Sequence, residues 1–212
     1  MFDLNGTLHD RTATLRHWLA DPVRRFGLPA GYVQRFLEED DYGYRSKRVV
    51  FPRLIQEFGL SVTYEELYND DHRALYYARA MPDAQAVLIA LRHRGQRLGI
   101  VINGWTQAEQ TCAERCGLMA LGDDLVISRA VGYAKPDHRI FELAMKRLGA
   151  TPETTWFVGD SPRNDILGAL GNVRPDWVLN GLLALLHLPG GVLERPASSP
   201  GENADSPGSG LG

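Results

Sequence analysis

Three things are scarce in this 212-residue chain. Cysteine occurs only twice, which excludes a disulfide framework. Cys112 and Cys116 stand one helical turn apart and read as small apolar residues of a helix. Excess charge of either sign is also missing. Lys plus Arg total 23 against 26 Asp plus Glu, a net of −3, so there is no electrostatic footprint for nucleic acid or an anionic membrane. Long apolar runs are missing too. The longest, Val178 to Leu188, covers 11 residues and is interrupted by Asn180, Gly181 and His187, too short to span a bilayer. The opening MFDLNG has neither a basic region nor an apolar one, so a cytoplasmic location is expected. What is present, 44% hydrophobic and 23% charged residues, is the composition of a globular chain with a core.

Two textures alternate along the chain. From Thr12 to about Arg79 the pattern is helical: Leu15, Trp18, Leu19, Val23 and Phe26 share a face, and Gly27 stops the helix. Tyr32, Phe36 and Leu37 predict a second helix, and Val50, Leu54, Ile55 and Phe58 a third ending at Gly59. A fourth, Thr63 to Ala80, opens with a capping box of Thr63 and Glu66. From Met81 onward helices and strands alternate. Strands are expected at Leu98–Ile102, Leu125–Ile127, Thr155–Val158 and Asp176–Leu179, with helices on Ala84–Leu91, Thr106–Cys116 and Ile140–Leu148. That alternation predicts an α/β fold, a Rossmann-like three-layer core around a central parallel sheet.

The opening FDL reads as a strand end, although the two residues before Asp3 are fewer than the usual five of a central strand, so an earlier start is expected. Between it and Leu98 lies far more chain than one crossover helix needs. The surplus reads as an inserted, all-helical cap. The expected division is residues 1–10 and 80–188 for the core and 11–79 for the cap, with 189–212 as a disordered tail rich in Gly, Pro and Ser. In the cap, Arg45, Lys47, Arg48 and Arg53 follow the acidic run Glu38 to Asp41. They read as a solvated mixed-charge face from which Tyr44 or Arg45 would be the residue to reach a substrate. The six histidines form no ligand spacing and are taken as structural.

In an open parallel sheet, ligands bind beyond the carboxyl ends of the strands. The loops there carry Asp3-Leu4-Asn5-Gly6-Thr7, then Asn103-Gly104-Trp105, then Lys135-Pro136-Asp137, then Gly159-Asp160-Ser161-Pro162-Arg163-Asn164-Asp165. Taken singly these are ordinary: a turn-capping Asp, a helix-start Lys, acids at a helix N-terminus. Together they bring Asp3, Asp160 and Asp165 to one rim with one lysine. Three carboxylates repel one another unless a hard cation joins them, and Mg²⁺ takes oxygen ligands in that way.

These four segments, FDLNGTL, the NG at 103–104, the KP at 135–136 and GDSPRNDILGA, resemble the four motifs of the haloacid dehalogenase superfamily, over roughly residues 1–180. The helical insertion is similar to the cap of that superfamily's phosphatases. The resemblance implies a Mg²⁺-dependent phosphomonoester hydrolase of small phosphorylated metabolites, with Asp3 as nucleophile forming an aspartyl-phosphate. Asp3, Asp160, Asp165 and the backbone carbonyl of Asn5 would hold the metal, and Lys135 would offset the negative charge. Backbone N–H groups around Leu4, Asn103 and Gly104 would cradle the phosphate.

Two departures stand out. The residue two after the nucleophile, an acid/base Asp in these phosphatases, is Asn5. An amide can neither protonate a leaving group nor activate water, a loss typically worth about 10²–10⁴ in rate. Where a Ser or Thr would bind a phosphate oxygen stands Ile102. Impaired turnover is therefore expected. The alternative is a relative that binds phosphorylated ligands without turnover. A 2-haloacid dehalogenase, which needs no metal, fits less well because it has no use for so many acids together.

Overall fold

The computed structural model describes residues 1–169 and Leu182. The expected strand at 176–179, the apolar run 178–188 and the tail 189–212 lie outside the described residues, apart from Leu182.

The helical half comprises α1 (Arg11–Phe26), α2 (Tyr32–Asp40), α3 (Lys47–Phe58) and α4 (Tyr64–Asp71). Local chemistry sets their ends. The Asp10 carboxylate caps α1 by accepting from Ala13 N at 2.9 Å, and Gly27 closes the helix in the left-handed conformation. The Thr63–Glu66 capping box opens α4. These helices bury Trp18, Tyr32, Phe36, Phe51 and Leu54 against one another, in a cluster separate from those around the sheet. The helix expected through Ala80 stops sooner: α4 ends at Asp71 and His72–Tyr77 winds as a 3₁₀ segment. The tighter winding turns Ala74 into the helical cluster and Leu75 toward the sheet.

One sequence expectation is corrected here. The end of the acidic run is no solvated face. Glu39 and Asp40 are buried at 6% and 1% exposure, because α2 turns them inward among cations. Arg11 and Lys47 pair with Asp40, and Arg35, Arg45 and Arg53 with Glu39.

The other half is layered. It contains α5 (Ala84–His93), β1 (Gly99–Ile102), α6 (Thr106–Arg115), β2 (Asp124–Ile127), a short α7 (Ser128–Val131) and α8 (His138–Leu148). Strands β1 and β2 pair in parallel, Gly99 opposite Asp124 through Ile102 opposite Ile127. On the far side of β1 lies the first segment of the chain. Phe2 N donates to Gly99 O and Val101 N to Phe2 O, both at 2.8 Å. Phe2 in turn bridges Val158 in parallel. Among the described residues the predicted strand 155–158 pairs with Met1–Asp3: Val158 N bonds Met1 O, Asp3 N bonds Val158 O, and the Met1 amino group donates to Trp156 O at 2.6 Å.

Alternation along the strands fills both faces. Phe2, Ile100, Ile102 and Ile127 pack with α5 and α6, while Met1, Val101 and Val126 pack with α8. All four residues of β1 are buried, as a strand with a helix on either face requires. The chain passes between halves twice, and the two crossings pair with each other: Asp10 N donates to Arg79 O at 3.0 Å and Met81 N to Leu8 O at 2.8 Å. No helix among the described residues is long and apolar enough to cross a membrane.

Candidate active site

The four loops converge at the carboxyl ends of the strands. Asp3 follows the first segment directly and is 4% exposed; Lys135 is equally buried, and Asp165 completely so. Lys135 Nζ lies 2.5 Å from Asp3 Oδ1 and 2.7 Å from Asp165 Oδ1, bridging the two acids. Asp160 completes the group at its exposed edge, and one oxygen from each of the three carboxylates lies within 4.8 Å of the others.

Each member is held from behind. Asn103 Nδ2 donates to Lys135 O and Lys135 N donates to Asn103 Oδ1, both at 2.7 Å. The Asn103 side chain is thus engaged with the lysine's backbone, and the Gly104 N–H, expected at a phosphate, donates instead to Ser128 Oγ at 3.1 Å. Ser161 N donates to Asp165 Oδ2 at 3.0 Å inside a π-helical turn, Pro162–Ile166. Thr7 Oγ1 reaches Asp160 Oδ1 at 3.4 Å. Two glycines make room: a Cβ on Gly6, which sits at φ 91°, would run into the Asp160 carboxylate, and one on Gly159 into that of Asp165. Leu4 is fully buried.

The electrostatics show a shortage of positive charge. Burial pushes the Asp3 carboxyl up to about 7; Lys135 opposes this, and neighbouring Asp165 adds to it. Burial raises Asp160 as well, again with Asp165 contributing. Asp165 Oδ1, although close to the ammonium, has no hydrogen-bond partner. A hard divalent cation fits this donor set, since it would supply the missing charge and engage the orphaned oxygen.

The side chain of Asn5 is held at both ends. Its Oδ1 lies 2.7 Å from His9 Nδ1, and its Nδ2 donates to Glu109 Oε2 at 3.1 Å. His9 Nε2 meets Thr14 Oγ1 at 2.9 Å. Burial, then the charge of Arg11, push His9 down to about 4, so the ring is neutral, with Nδ1–H donating to the amide. Burial pushes Glu109 up to about 7, opposed by the bond from Asn5 and by Arg11 and Lys135. Reading the sequence missed both His9 and Glu109. The signal for Glu109 was its place in the first turn of α6, one turn beyond Gly104, where it folds back over the loop. Ile102 is 3% exposed and belongs to the core beside Leu4 and Leu8. Cys112 and Cys116 are both buried near His9, whose two ring nitrogens already have partners. In the helical half, Tyr44 reaches Ser161, whereas Arg45 pairs with Glu39.

A parallel α/β core whose rim carries a lysine between two buried acids, with a third acid beside them, defines a class of hydrolase fold that the comparisons specify. Residues 1–171 match the family model described as haloacid dehalogenase-like hydrolase, and the chain belongs to that family. Among curated relatives, a glyceraldehyde 3-phosphate phosphatase of Methanothermobacter thermautotrophicus is 41% identical over 91 residues, 43% of this chain and 40% of that protein. The protein of the same name from Methanopyrus kandleri is 37% identical over 185 residues, 80% of this chain and 78% of that one. The chain thus spans less than half the length of the first relative and over three quarters of the second. The fold matches a crystal structure of the HAD-hydrolase YfnB of Bacillus subtilis bound to magnesium, with TM-score 0.69 and 22% identity, covering 88% of this chain and 95% of that one.

Proposed function

We propose that the chain hydrolyses phosphomonoesters of small metabolites through a phosphorylated Asp3. The observation that carries this reading is Lys135 Nζ seated between Asp3 and Asp165, with Asp160 alongside. Lys135 bonds Asp3 Oδ1, so Oδ2 would be the oxygen that attacks phosphorus, forming an acyl phosphate as the ester P–O bond breaks and the alcohol leaves, taking its proton from water. Lys135 offsets the charge that gathers between nucleophile and phosphoryl oxygens. Asp3, Asp160, Asp165 and the Asn5 carbonyl would hold Mg²⁺, which when bound supplies positive charge to the phosphoryl oxygens. The helical half acts as a cap that shields the rim from water. The named relatives support a small phosphorylated metabolite as substrate, with glyceraldehyde 3-phosphate the first compound to try.

Turnover is expected to be slow at its second step. Residue 5 is an amide whose two ends are committed to His9 and Glu109, so it neither delivers nor removes a proton. That observation keeps a second reading in view, capture of phosphate without efficient release. Phosphate release from a panel of phosphorylated metabolites, with and without Mg²⁺, separates the two. Release that requires Mg²⁺ and disappears in Asp3→Asn supports the hydrolase. A phosphoryl adduct on Asp3 by intact mass, without release, supports capture. Neither release nor adduct with any ester sinks both.

A further inference from the structure

The link between α2 and α3 holds the densest backbone strain among the described residues. Asp41, Tyr42 and Gly43 stand in succession at φ 48°, 53° and 90°, a region that Asp and Gly tolerate and that the bulky Tyr42 side chain disfavours. Such a conformation persists only where its surroundings over-determine it, and here they do. Before the strained residues, Asp40 is gripped by Arg11 and Lys47; after them, Arg45 is tied back to Glu39. Gly43 lies against the Arg11 guanidinium, where a Cβ would come within 3.1 Å of Nη2.

The outcome of this clamped reversal is the placement of Tyr44. Its hydroxyl lies 2.6 Å from Ser161 Oγ and accepts from Asn164 Nδ2 at 3.2 Å. Both partners sit within the turn that separates Asp160 from Asp165. They are already joined, since Asn164 N donates to Ser161 Oγ at 3.1 Å while Ser161 N donates to Asp165 Oδ2. The Tyr44 hydroxyl therefore closes a small polar ring on the turn that aims the two acids. The ring of Tyr44 remains 56% exposed, so packing alone does not account for its position.

We propose that Tyr44 is a positioning residue of the site: its hydroxyl pins the helical half to the Ser161–Asn164 turn and so holds Asp160 and Asp165 in their working arrangement. The kinetic part of this proposal rests on the hydrolase reading; the structural part does not. When the helical half is docked the acidic turn is braced from outside, and when it lifts the brace is lost. Cation binding and cap position are thereby coupled through one phenol.

Tyr44→Phe keeps the ring and removes the brace. Amide hydrogen exchange over residues 160–166 of the metal-free protein should accelerate by up to about tenfold, the equilibrium worth of one or two neutral hydrogen bonds. Exchange in α5 and α8 should not change. Ser161→Ala should also accelerate exchange, since it loses the Tyr44 contact and the bond from Asn164 N, and the double variant should exceed either single variant by less than the sum of their effects, because the Tyr44–Ser161 contact is common to both. The concentration of Mg²⁺ that half-saturates the thermal shift should rise several-fold in Tyr44→Phe. Where turnover is measurable, its Mg²⁺ requirement should rise in parallel while kcat at saturating Mg²⁺ stays close to that of the unchanged protein. Exchange at 160–166 that is unaltered in Tyr44→Phe overturns the proposal. A protein that shows no Mg²⁺ response, yet faster exchange in that variant, would sink the hydrolase reading and leave the brace standing.

Discussion

Two clusters of acids, each with two buried members, lie among the described residues, and their charge surroundings differ. In the helical half Glu39 and Asp40 are contacted by five cations, Arg11, Arg35, Arg45, Lys47 and Arg53, of which Arg35 also pairs with Glu38 and Glu57. At the rim of the sheet Asp3 and Asp165 share the ammonium of Lys135, with Asp160 beside them. Burial acts to raise Glu39, Asp40, Asp3 and Asp160 alike. In the first cluster the bonds from Arg11 and Lys47 overturn that effect at Asp40, and those from Arg53 and Arg45 do so at Glu39, so both end below the usual carboxylate range. In the second, Asp3 and Asp160 stay raised. Burial of charge is common to both and so does not mark a site. The deficit of positive charge is what sets the rim apart, and either a proton or a further cation would answer it.

The strongest way to break this contrast is to remove the one core cation. Lys135→Met strands Asp3 and Asp165 in the interior, and its cost in metal-free chemical denaturation should be about 3–5 kcal/mol. Mg²⁺ should recover part of that loss. A cost under about 1 kcal/mol would mean that the core cluster is already satisfied, as the helical one is.

Next in size is a change of rate. Asn5→Asp restores an acid where the family's phosphatases have one, and a positioned acid/base is worth about 10²–10⁴. Yet Glu109 already lies against residue 5, so the new carboxylate would face another across a hydrogen-bond distance. Asn5→Asp alone should therefore gain little, and Asn5→Asp with Glu109→Gln should gain most of that factor. Initial rates of phosphate release on the best ester of the panel decide it, and simple additivity of the two changes would count against the pairing.

His9 sharpens the comparison from the opposite sign, as a buried base without an acid partner. Its ring falls from 6.5 to about 4 on folding. Between those values the unfolded chain takes up a proton that the folded chain refuses, so stability present above pH 6.5 is lost as pH falls toward 4. The loss attributable to this ring is on the order of 3 kcal/mol. Denaturation midpoints at pH 7, 5.5 and 4.5 should show it, and His9→Gln should flatten that part of the profile. An unchanged slope in the variant would assign the acid sensitivity elsewhere.

The smallest effect belongs to the helical cluster. Lys47→Met leaves Asp40 with both Arg11 contacts, at 2.5 and 3.1 Å, and should cost about 1 kcal/mol or less. A loss as large as that of Lys135→Met would erase the distinction between the clusters.

Local chemistry decided which features were legible beforehand. Glycine stops at Gly27, Gly59 and Gly149 and the Thr63 capping box mark helix ends through contacts within a few residues, and the sequence carries them openly. The three acids and the lysine follow from strand ends plus the rule for parallel sheets. What stayed hidden depends on partners far along the chain. Asn5 with Glu109 is a contact across 104 residues, and Tyr44 with Ser161 one across 117. Glu39 and Asp40 read as solvated because their composition is polar, while their burial depends on cations from α1, α3 and the strained link between α2 and α3. The short α7 has too few residues to show a period at all.

Asn103 has a consequence of a different kind. With one side-chain atom on the N–H of Lys135 and another on its carbonyl, the amide serves as a rung that a neighbouring strand would otherwise supply. The lysine is registered to the end of β1 as if it were part of the sheet, although it lies in a loop. The tether reaches the lysine's backbone directly, so a single change at 103 that spoils either bond would loosen the ammonium from the end of β1.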